Sequence, residues 1–353
     1  MPGFSADDVA RVDASGQLAD VLALPAQLED ALWRVESSGV ERALERLDGL
    51  TPLLVCGMGG SAIGSDLAVD LLNDTLTRPL HTIRGYELPS WATPDSVVVC
   101  ASYSGDTEEA LACFEAAEAL GAARVAVTAG GRLAELARTQ DVPVIPLPGV
   151  LPAPRLAVGY MLVAVLEVAA HAGVAPGMRA EIDAASAHLE ALAGEWGPDA
   201  DPDSLAKRVA RRVHGSCVCV YGAAPTASVA RRWKTQINEN AKVPSFYAEL
   251  PEADHNEIVG WDGASDVGKF TGVFLEDADQ HPRVRRRIEL TAKAIESHAA
   301  DALLVESRGT NRVERILSLV MLGDLVSIYM AALQGIDPTP VEAIDALKAA
   351  MGH

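Results

Sequence analysis

Two short loops rich in glycine, serine and threonine carry the first chemical signal in this sequence. Residues 57–64 read GMGGSAIG and residues 101–109 read ASYSGDTEE, and each loop follows an apolar run and opens a helical pattern. Glycine lets the backbone approach an anion closely, hydroxyls donate hydrogen bonds, and a helix N-terminus adds unpaired N–H groups. The loops therefore predict a bound phosphate group, with Ser102, Ser104 and Thr107 available in the second loop.

The first loop also satisfies a different pattern. Gly57-x-Gly59-x-x-Ala62 after a strand is typical of dinucleotide-binding folds, which need an acidic residue about 20 positions further on. The next strand-like run, residues 80–86, reads LHTIRGY and offers no such residue. The density of hydroxyls in the second loop favours a small sugar phosphate over a dinucleotide. Either loop alone could also be a tight strand-to-helix turn, so the prediction depends on both.

A second group of candidate residues lies in the C-terminal half. Glu239 stands between two asparagines in NENAK, residues 238–242, and His255 and Glu257 follow in residues 249–258, ELPEADHNEI. A carboxylate between amides can be oriented and partly shielded from water, as a general base requires. The competing interpretations are a solvated helix end for Glu239 and an ordinary loop histidine for His255. The spacing matches no helix-borne pair of metal ligands, so we predict no metal.

Composition limits the class of protein. The chain has 353 residues, 49% of them hydrophobic, which is enough for two cores. Its net charge of −20 disfavours nucleic-acid binding, which depends on a basic surface. No run approaches the roughly 18 uninterrupted apolar residues of a membrane span, and the N-terminus lacks a signal pattern, so we expect a cytoplasmic protein without a membrane partner. Cys56, Cys100, Cys217 and Cys219 stand in apolar runs and are predicted to be free core thiols.

The elements that must position these residues follow an α/β rhythm. An amphipathic helical pattern over residues 18–48 comes first. Predicted strands then lie at 53–56, 81–86, 97–102, 124–129 and 144–148, alternating with predicted helices at 62–72, 107–120 and 131–139 and followed by an apolar helix at 156–172. This alternation predicts a doubly wound parallel sheet with covering helices.

The second half of the chain repeats the first in outline. A strand near residue 217 leads through the loop 223–228, which lacks the double glycine, into a helix. Further strands are predicted at 270–275 and 302–306, and further helices at 282–298, 311–334 and 338–351. We therefore predict a phosphate-binding domain over residues 1–152, connecting helices and a linker over 153–203, and a domain carrying the base over 204–353.

Six motifs together resemble the bifunctional phosphoglucose/phosphomannose isomerases, which are built from two sugar isomerase (SIS) domains. They are GMGGSAIG, ASYSGDTEE, PAPR, NENAK, ELPEADHNEIVGW and DPTPVEAIDALK, in the family's order from residue 57 to residue 348. The resemblance implies two SIS-type doubly wound domains and an aldose–ketose isomerase without a cofactor. Its implied reaction converts glucose 6-phosphate, mannose 6-phosphate or both into fructose 6-phosphate through a cis-enediol.

The resemblance also implies residue roles. The phosphate is then bound by Gly59, Gly60, Ser61, Ser102, Ser104 and Thr107. Glu239 moves a proton between C1 and C2, and Arg155 lies near the developing enediolate. His255, from the partner subunit of a homodimer, opens the ring with the help of Lys348. Lys348 also fits the wet face of a C-terminal helix, and Arg155 could equally cap a helix or bridge domains.

Other classes of protein remain as alternatives. A non-catalytic SIS protein that senses sugar phosphates is the first, although such modules usually accompany a DNA-binding helix-turn-helix and the stretch 18–48 has no basic face. A dinucleotide-dependent oxidoreductase is the second. The family loop commonly has glycine where this chain has Ala62 and Ser65. The joint presence of the proposed base, histidine and lysine favours the enzyme.

Overall fold

The computed structural model describes residues 4–45 and 52–351. The predicted helix over 18–48 is interrupted in the structure, and its last residues, Leu47 among them, lie outside the described residues. The segment 4–45 forms helices α1 (Ala6–Ala10), α2 (Gln17–Leu22), α3 (Leu24–Ser38) and α4 (Val40–Leu44). The breaks have local causes: Pro25 stands in the first turn of α3, and Gly39 ends that helix with a φ of 72°.

A five-stranded parallel sheet follows, with the strand order β2-β1-β3-β4-β5. Its strands are β1 (Leu53–Cys56), β2 (Leu80–Ile83), β3 (Val97–Ala101), β4 (Ala123–Thr128) and β5 (Val144–Pro146). The accompanying helices are α5 (Gly59–Leu72), α6 (Glu108–Leu120), α7 (Gly131–Thr139) and α8 (Val158–His171). Strands β1, β3 and β4 are buried almost throughout, which explains their continuous apolar sequence. The predicted doubly wound sheet is confirmed.

A second parallel sheet, with the order β7-β6-β8-β9, lies in the C-terminal half. Two helices precede it, α9 (Arg179–Trp196) and α10 (Leu205–Val213). Its strands are β6 (Cys217–Gly222), β7 (Ser245–Glu249), β8 (Phe270–Glu276) and β9 (Asp301–Glu306). The remaining helices are α11 (Ala227–Gln236), α12 (Ala264–Val267), α13 (Pro282–Ile295), α14 (Arg312–Gln334) and α15 (Glu342–Met351). Two parallel α/β sheets in one chain agree with the predicted fold class.

Strand β7 was not predicted, because its side chains reverse the usual pattern. Phe246 is 58% exposed, whereas the hydroxyl of Ser245 is buried and donates to the carbonyl oxygen of Val218 at 2.7 Å. Because an apolar residue faces solvent and a polar residue faces the core, the alternation of apolar and polar residues that indicates a strand is not seen here.

By their contacts, the residues group into two compact units. One unit comprises Ala23–His188 and Thr310–Glu314 and contains the first sheet. The other comprises the segment up to Leu22, Leu189–Gly309 and the chain from Arg315 onward, and contains the second sheet. The N-terminal helices α1 and α2 therefore belong with the C-terminal half. The domain boundaries predicted from the sequence stay a prediction.

Among the described residues, two helical segments are long and apolar enough to cross a membrane by length and composition. They are Pro154–His171, buried over 78% of its length, and Arg312–Gln334, whose most apolar window is 94% buried within the protein. Burial of this extent is what the core helices of a globular protein show. Among the cysteines, Cys56 and Cys100 are buried as predicted, whereas Cys217 and Cys219 are only partly buried, and all are free thiols.

Candidate active site

The two predicted phosphate loops lie side by side in the unit that contains the first sheet. They follow β1 and β3, which are neighbours, with Cys56 paired to Cys100 at the ends of the strands. In this strand order, the connections that leave β1 and β3 lead in opposite directions along the sheet. Ligands of open α/β sheets bind in the crevice that forms between two such strands. The structure thus brings the loops 57–64 and 101–109 together at the edge where a ligand is expected.

Glycines of the first loop allow close backbone packing. A Cβ atom on Gly57 would lie 3.0 Å from the carbonyl oxygen of Ala101. A Cβ atom on Gly60 would lie 2.9 Å from the Cα atom of Arg155, so the PAPR segment packs directly against this loop. Gly59 has a φ of 49°, which favours glycine. The loop is therefore shaped by its glycines, and Arg155 lies beside it in the same unit.

Hydroxyls of the second loop form a local network. The Oγ atom of Ser102 lies 2.8 Å from Oγ1 of Thr107 and accepts the N–H group of Gly105 at 3.0 Å. Ser102 is fully buried, whereas Ser104 is exposed and its Oγ accepts the N–H group of Asp106 at 3.2 Å. Thr107 precedes α6 but makes no capping hydrogen bond with its side chain. The buried Ser102 hydroxyl thus holds the loop together through hydrogen bonds, and Ser104 and Thr107 carry the more accessible hydroxyls.

Tyr103 connects both loops to the segment that precedes Arg155. Its N–H group donates to Oγ of Ser61 at 3.3 Å, and its hydroxyl donates to the carbonyl oxygen of Pro148 at 2.7 Å. The same hydroxyl accepts the N–H group of Leu151 at 3.0 Å. Arg155 itself is 4% exposed and lies in a 3-10 turn, Pro154–Ala157. Tyr103 was not predicted as a site residue, because nothing in the sequence distinguishes its hydroxyl from those of the neighbouring serines and threonine.

Glu239 lies in an unusual turn in the other unit. Helix α11 passes directly into a π-helical turn, Ile237–Ala241, which ends at Lys242 with a φ of 55°. Such turns and such left-handed residues other than glycine are found often at functional sites. The turn is well supported: Oδ1 of Asn238 accepts the N–H group of Ser245 at 2.8 Å, and Nε2 of Gln334 donates to the carbonyl oxygen of Ala241 at 2.9 Å.

The side chains of Glu239 and Lys242 have different surroundings. The Glu239 side chain is partly buried, so it is partly shielded from water but still in contact with it. The ammonium group of Lys242 donates to the carbonyl oxygen of Glu239 and to that of Pro338, the latter at 3.1 Å. The lysine therefore caps the turn, and Glu239 stands in an ordered turn with its side chain partly buried.

His255 lies in a loop that is held on both sides. Before it, the carboxylate of Asp254 accepts hydrogen bonds from Arg287 at 2.9 Å and from the Thr291 hydroxyl at 2.7 Å. After it, the Tyr221 hydroxyl donates to Oε1 of Glu257 at 2.5 Å. His255 itself is exposed. The loop is thus fixed while its histidine faces solvent.

The ring that anchors this loop is deeply embedded. Nε1 of Trp261 donates to the Tyr221 hydroxyl at 2.8 Å, and the Tyr221 ring stacks on Phe274 with centroids 4.7 Å apart. Burial, followed by the hydrogen bond to Glu257, raises the pKa of Tyr221 well above its ordinary value. Tyr221 therefore stays a neutral donor to Glu257.

Lys348 is exposed on the last helix, α15, as are the other described residues of that helix. Glu239, His255 and Lys348 lie on three different elements of their unit, and Gly59, Gly60, Ser61, Ser102, Ser104, Thr107 and Arg155 lie in the other unit.

The loop 223–228 is closed by its own hydrogen bonds. The buried Thr226 hydroxyl donates to the carbonyl oxygen of Ala223 at 3.0 Å, and Nε2 of Gln280 donates to the same oxygen at 3.2 Å and to that of Leu275 at 3.1 Å. Side chains of the protein thus close the loops that follow β6 and β8, the strands whose order in the second sheet corresponds to that of β1 and β3 in the first. We expect only the first sheet to bind a phosphate.

Across residues 4–45 and 52–351, no three His, Cys, Asp or Glu side chains cluster so as to hold a metal ion. The absence of a metal requirement stays a prediction.

Comparison with known proteins defines the class first. Residues 202–351 match the family described as bacterial phospho-glucose isomerase C-terminal SIS domain. The crystal structure of tagatose-6-phosphate ketose/aldose isomerase from Escherichia coli superposes with a TM-score of 0.69, covering 93% of this chain and 96% of that chain at 16% identity. Such low identity shows a shared fold alone. The two-sheet architecture is therefore that of SIS proteins.

Closer relatives identify the family. The bifunctional phosphoglucose/phosphomannose isomerase of Caldicellulosiruptor bescii is 35% identical over 328 residues, which is 92% of this chain and 96% of the relative. The protein of the same name from Aquifex aeolicus is 35% identical over 306 residues, 85% of this chain and 91% of the relative. The chain belongs to the family of bifunctional phosphoglucose/phosphomannose isomerases, and the resemblance seen in its motifs is confirmed.

Proposed function

We propose that the protein is an aldose–ketose isomerase that interconverts glucose 6-phosphate, mannose 6-phosphate or both with fructose 6-phosphate. The observation that carries the proposal is membership of a family whose relatives are named for these two activities, over nearly the whole chain. The partly buried Glu239 in a supported π turn adds a carboxylate suited to proton transfer. The hydroxyl-rich crevice between β1 and β3 adds a place for the phosphate.

In the proposed mechanism, Glu239 takes the proton from C2 of the open-chain aldose and returns it to C1. The electrons of the broken C–H bond form the C1–C2 double bond of the cis-enediol, a proton passes from the C2 oxygen to the C1 oxygen, and the carboxylate ends the cycle deprotonated. Arg155 stabilises the negative charge that develops on the enediolate oxygen. His255 and Lys348 transfer the proton that opens the sugar ring. Neither the proton transfer by Glu239 nor the opening of the ring requires a metal or a redox cofactor.

The phosphate is held by N–H groups and hydroxyls of the two loops. The proposed ligands are Gly59, Gly60, Ser61, Ser102, Ser104 and Thr107. Helices α5 and α6 begin at the same edge of the sheet, and the N–H groups in the first turn of a helix have no partner within that helix.

Glu239→Gln tests the central role. The amide keeps the shape of the side chain but cannot accept the proton, so we expect turnover to fall by about 10² or more while the sugar phosphate still binds. A coupled assay of fructose 6-phosphate, run with both aldose phosphates in the presence of chelator, measures this. Glu289→Gln is the matched control, because Glu289 is an exposed carboxylate on α13 of the same unit. Wild-type turnover in folded Glu239→Gln would remove Glu239 as the base.

The same assay separates the enzyme from a sugar-phosphate sensor. A sensor binds both aldose phosphates but produces no fructose 6-phosphate with the wild-type chain. Turnover above the buffer rate that is lost in Glu239→Gln establishes the enzyme.

We further propose a cytoplasmic homodimer in which His255 serves the partner's site. The exposed position of His255 and the apolar residues left exposed on α15, Ile344, Leu347 and Met351, support a second copy as the missing neighbour. Mixing Glu239→Gln with His255→Ala subunits should restore activity, since each mixed dimer then has one site with both wild-type groups. Verified subunit exchange without recovery would place the base and the histidine of one site on the same chain.

A further inference from the structure

A buried amide pair joins the N-terminal segment to the turn that carries Glu239. Nε2 of Gln17 donates to Oδ1 of Asn240 at 2.8 Å, and both side chains are completely buried. Gln17 is the first residue of α2, where the Asp13 carboxylate accepts the N–H groups of Gln17 and Leu18, each at 2.8 Å. The start of α2 thus fixes the backbone of Gln17, and its amide reaches from there to Asn240.

The other end of the Asn240 amide is held by helix α14. Nδ2 of Asn240 donates to Oγ of Ser327 at 2.9 Å, and the Ser327 hydroxyl donates to the carbonyl oxygen of Asp324 at 2.7 Å. The Asp324 carboxylate binds the guanidinium of Arg232 with two hydrogen bonds, at 3.0 and 2.6 Å. One stretch of α14 therefore holds both α11, through Arg232, and the π turn that follows it, through Asn240.

These contacts leave the turn little freedom. A buried amide that loses a partner costs about 1–3 kcal/mol, so the Asn240 side chain does not rotate without losing the bond to Gln17 or to Ser327. Asn240 follows Glu239 directly in the chain, and Asn238, which precedes it, is held by the N–H group of Ser245. The backbone of Glu239 is consequently fixed from both sides.

We propose that Gln17 and Ser327 are positioning residues, which act through Asn240 to hold Glu239 in the orientation that proton transfer requires. The proposal rests on the proposed role of Glu239 as the base. Displacing a catalytic group by about 1 Å costs on the order of a hundredfold in rate. We therefore expect loss of either hydrogen bond to Asn240 to lower kcat by about ten- to a hundredfold.

Gln17→Leu is the first test, because leucine fills similar space but donates no hydrogen bond to Asn240. We expect a lower kcat and a KM close to that of the wild type, since the phosphate ligands belong to the other unit. With an aldose phosphate deuterated at C2, we expect a larger isotope effect on kcat, because proton abstraction becomes slower relative to the other steps. Partial unfolding would reduce the amount of active enzyme but leave the isotope effect unchanged.

Val21→Ala is the matched control. Val21 is a buried residue of the same helix, α2, and its truncation weakens packing without touching the amide pair. We expect its isotope effect and the kcat of its folded fraction to equal those of the wild type.

Ser327→Ala is the second test and covers the case in which Gln17→Leu does not fold. It removes one oxygen atom and leaves the N-terminal segment intact, and we expect the same fall in kcat and the same rise in isotope effect. A wild-type kcat and isotope effect in folded Ser327→Ala, or in folded Gln17→Leu, would overturn the proposal. Glu239→Gln in the same assay separates the two claims: an inactive Glu239→Gln beside a fully active Ser327→Ala refutes the positioning role alone.

Discussion

Thr107 offers a sharp test of the phosphate loop, because its hydroxyl can be removed without damaging a helix cap. The residue precedes α6 but makes no side-chain capping bond, and within the protein its Oγ1 pairs with Oγ of Ser102 at 2.8 Å. Thr107→Val keeps the branched shape and deletes the hydroxyl. Ser102 retains its hydrogen bond from the N–H group of Gly105 at 3.0 Å, so we expect a stability loss of about 1 kcal/mol.

The effect on binding should be much larger than the effect on stability. A hydrogen bond to a charged acceptor contributes roughly 1.5–3 kcal/mol, and every 1.4 kcal/mol is a factor of ten in affinity. Thr107→Val should therefore weaken the binding of a phosphorylated ligand by about ten- to a hundredfold. Thr107→Ser keeps the hydroxyl and should bind nearly as the wild type does.

Inhibition by 6-phosphogluconate, with unphosphorylated gluconate as the comparison ligand, measures this. Only the phosphorylated acid should lose affinity in Thr107→Val, since gluconate presents nothing to the loop. Thermal unfolding of both variants checks that the fold is retained. Equal losses for both ligands, or equal affinities of the valine and serine variants for 6-phosphogluconate, would refute the assignment of the phosphate to this loop.

Three further predictions follow from buried contacts. Gly60→Ala places a Cβ atom 2.9 Å from the Cα atom of Arg155, so we expect reduced kcat/KM, whereas Gly85→Ala, with nothing within 4 Å, should leave it unchanged. Asp324→Asn leaves Arg232 buried without its ion pair and should cost about 3–5 kcal/mol in denaturant unfolding, against less than about 1 kcal/mol for the partly exposed Asp301→Asn. Burial raises the pKa of Glu167, so the folded state keeps this proton to higher pH than the unfolded chain and loses stability as pH rises through that interval. Glu167→Gln should then be more stable than the wild type at neutral pH, and unfolding curves should show no such advantage below about pH 4.

Much of the fold could be predicted because its strands are strongly patterned. Short continuous apolar runs bounded by loop residues, such as Leu53–Cys56 and Val97–Ala101, indicate a strand buried on both faces. The two loops that we propose bind the phosphate could be located for the same reason, since each follows such a strand. The N-terminal helices were harder to delimit, because an apolar repeat continues across the breaks at Pro25 and Gly39.

The support of Glu239 could not be predicted, because it depends on contacts between distant residues. Gln17 and Asn240 are 223 positions apart, and nothing in the local sequence around either pairs them. A partial signal existed in α14, where Asp324 and Ser327 interrupt the apolar stretch 319–333 and had to find partners. The sequence shows that such partners must exist, and only the three-dimensional contacts show that Arg232 and Asn240 are these partners.

The membership of α1 and α2 in the C-terminal unit also determines when that unit can be completed during synthesis. The ribosome adds about 5–20 residues per second, so roughly 10–45 s separate the appearance of Gln17 from that of Asn240. Until Leu189 and later residues appear, the buried side chains of the first helices, such as Leu18 and Val21, lack the C-terminal part of their unit, while the segment Ala23–His188 is already being made. The segment up to Leu22 therefore depends on residues from Leu189 onward to complete its unit, although it is made before the residues of the first sheet.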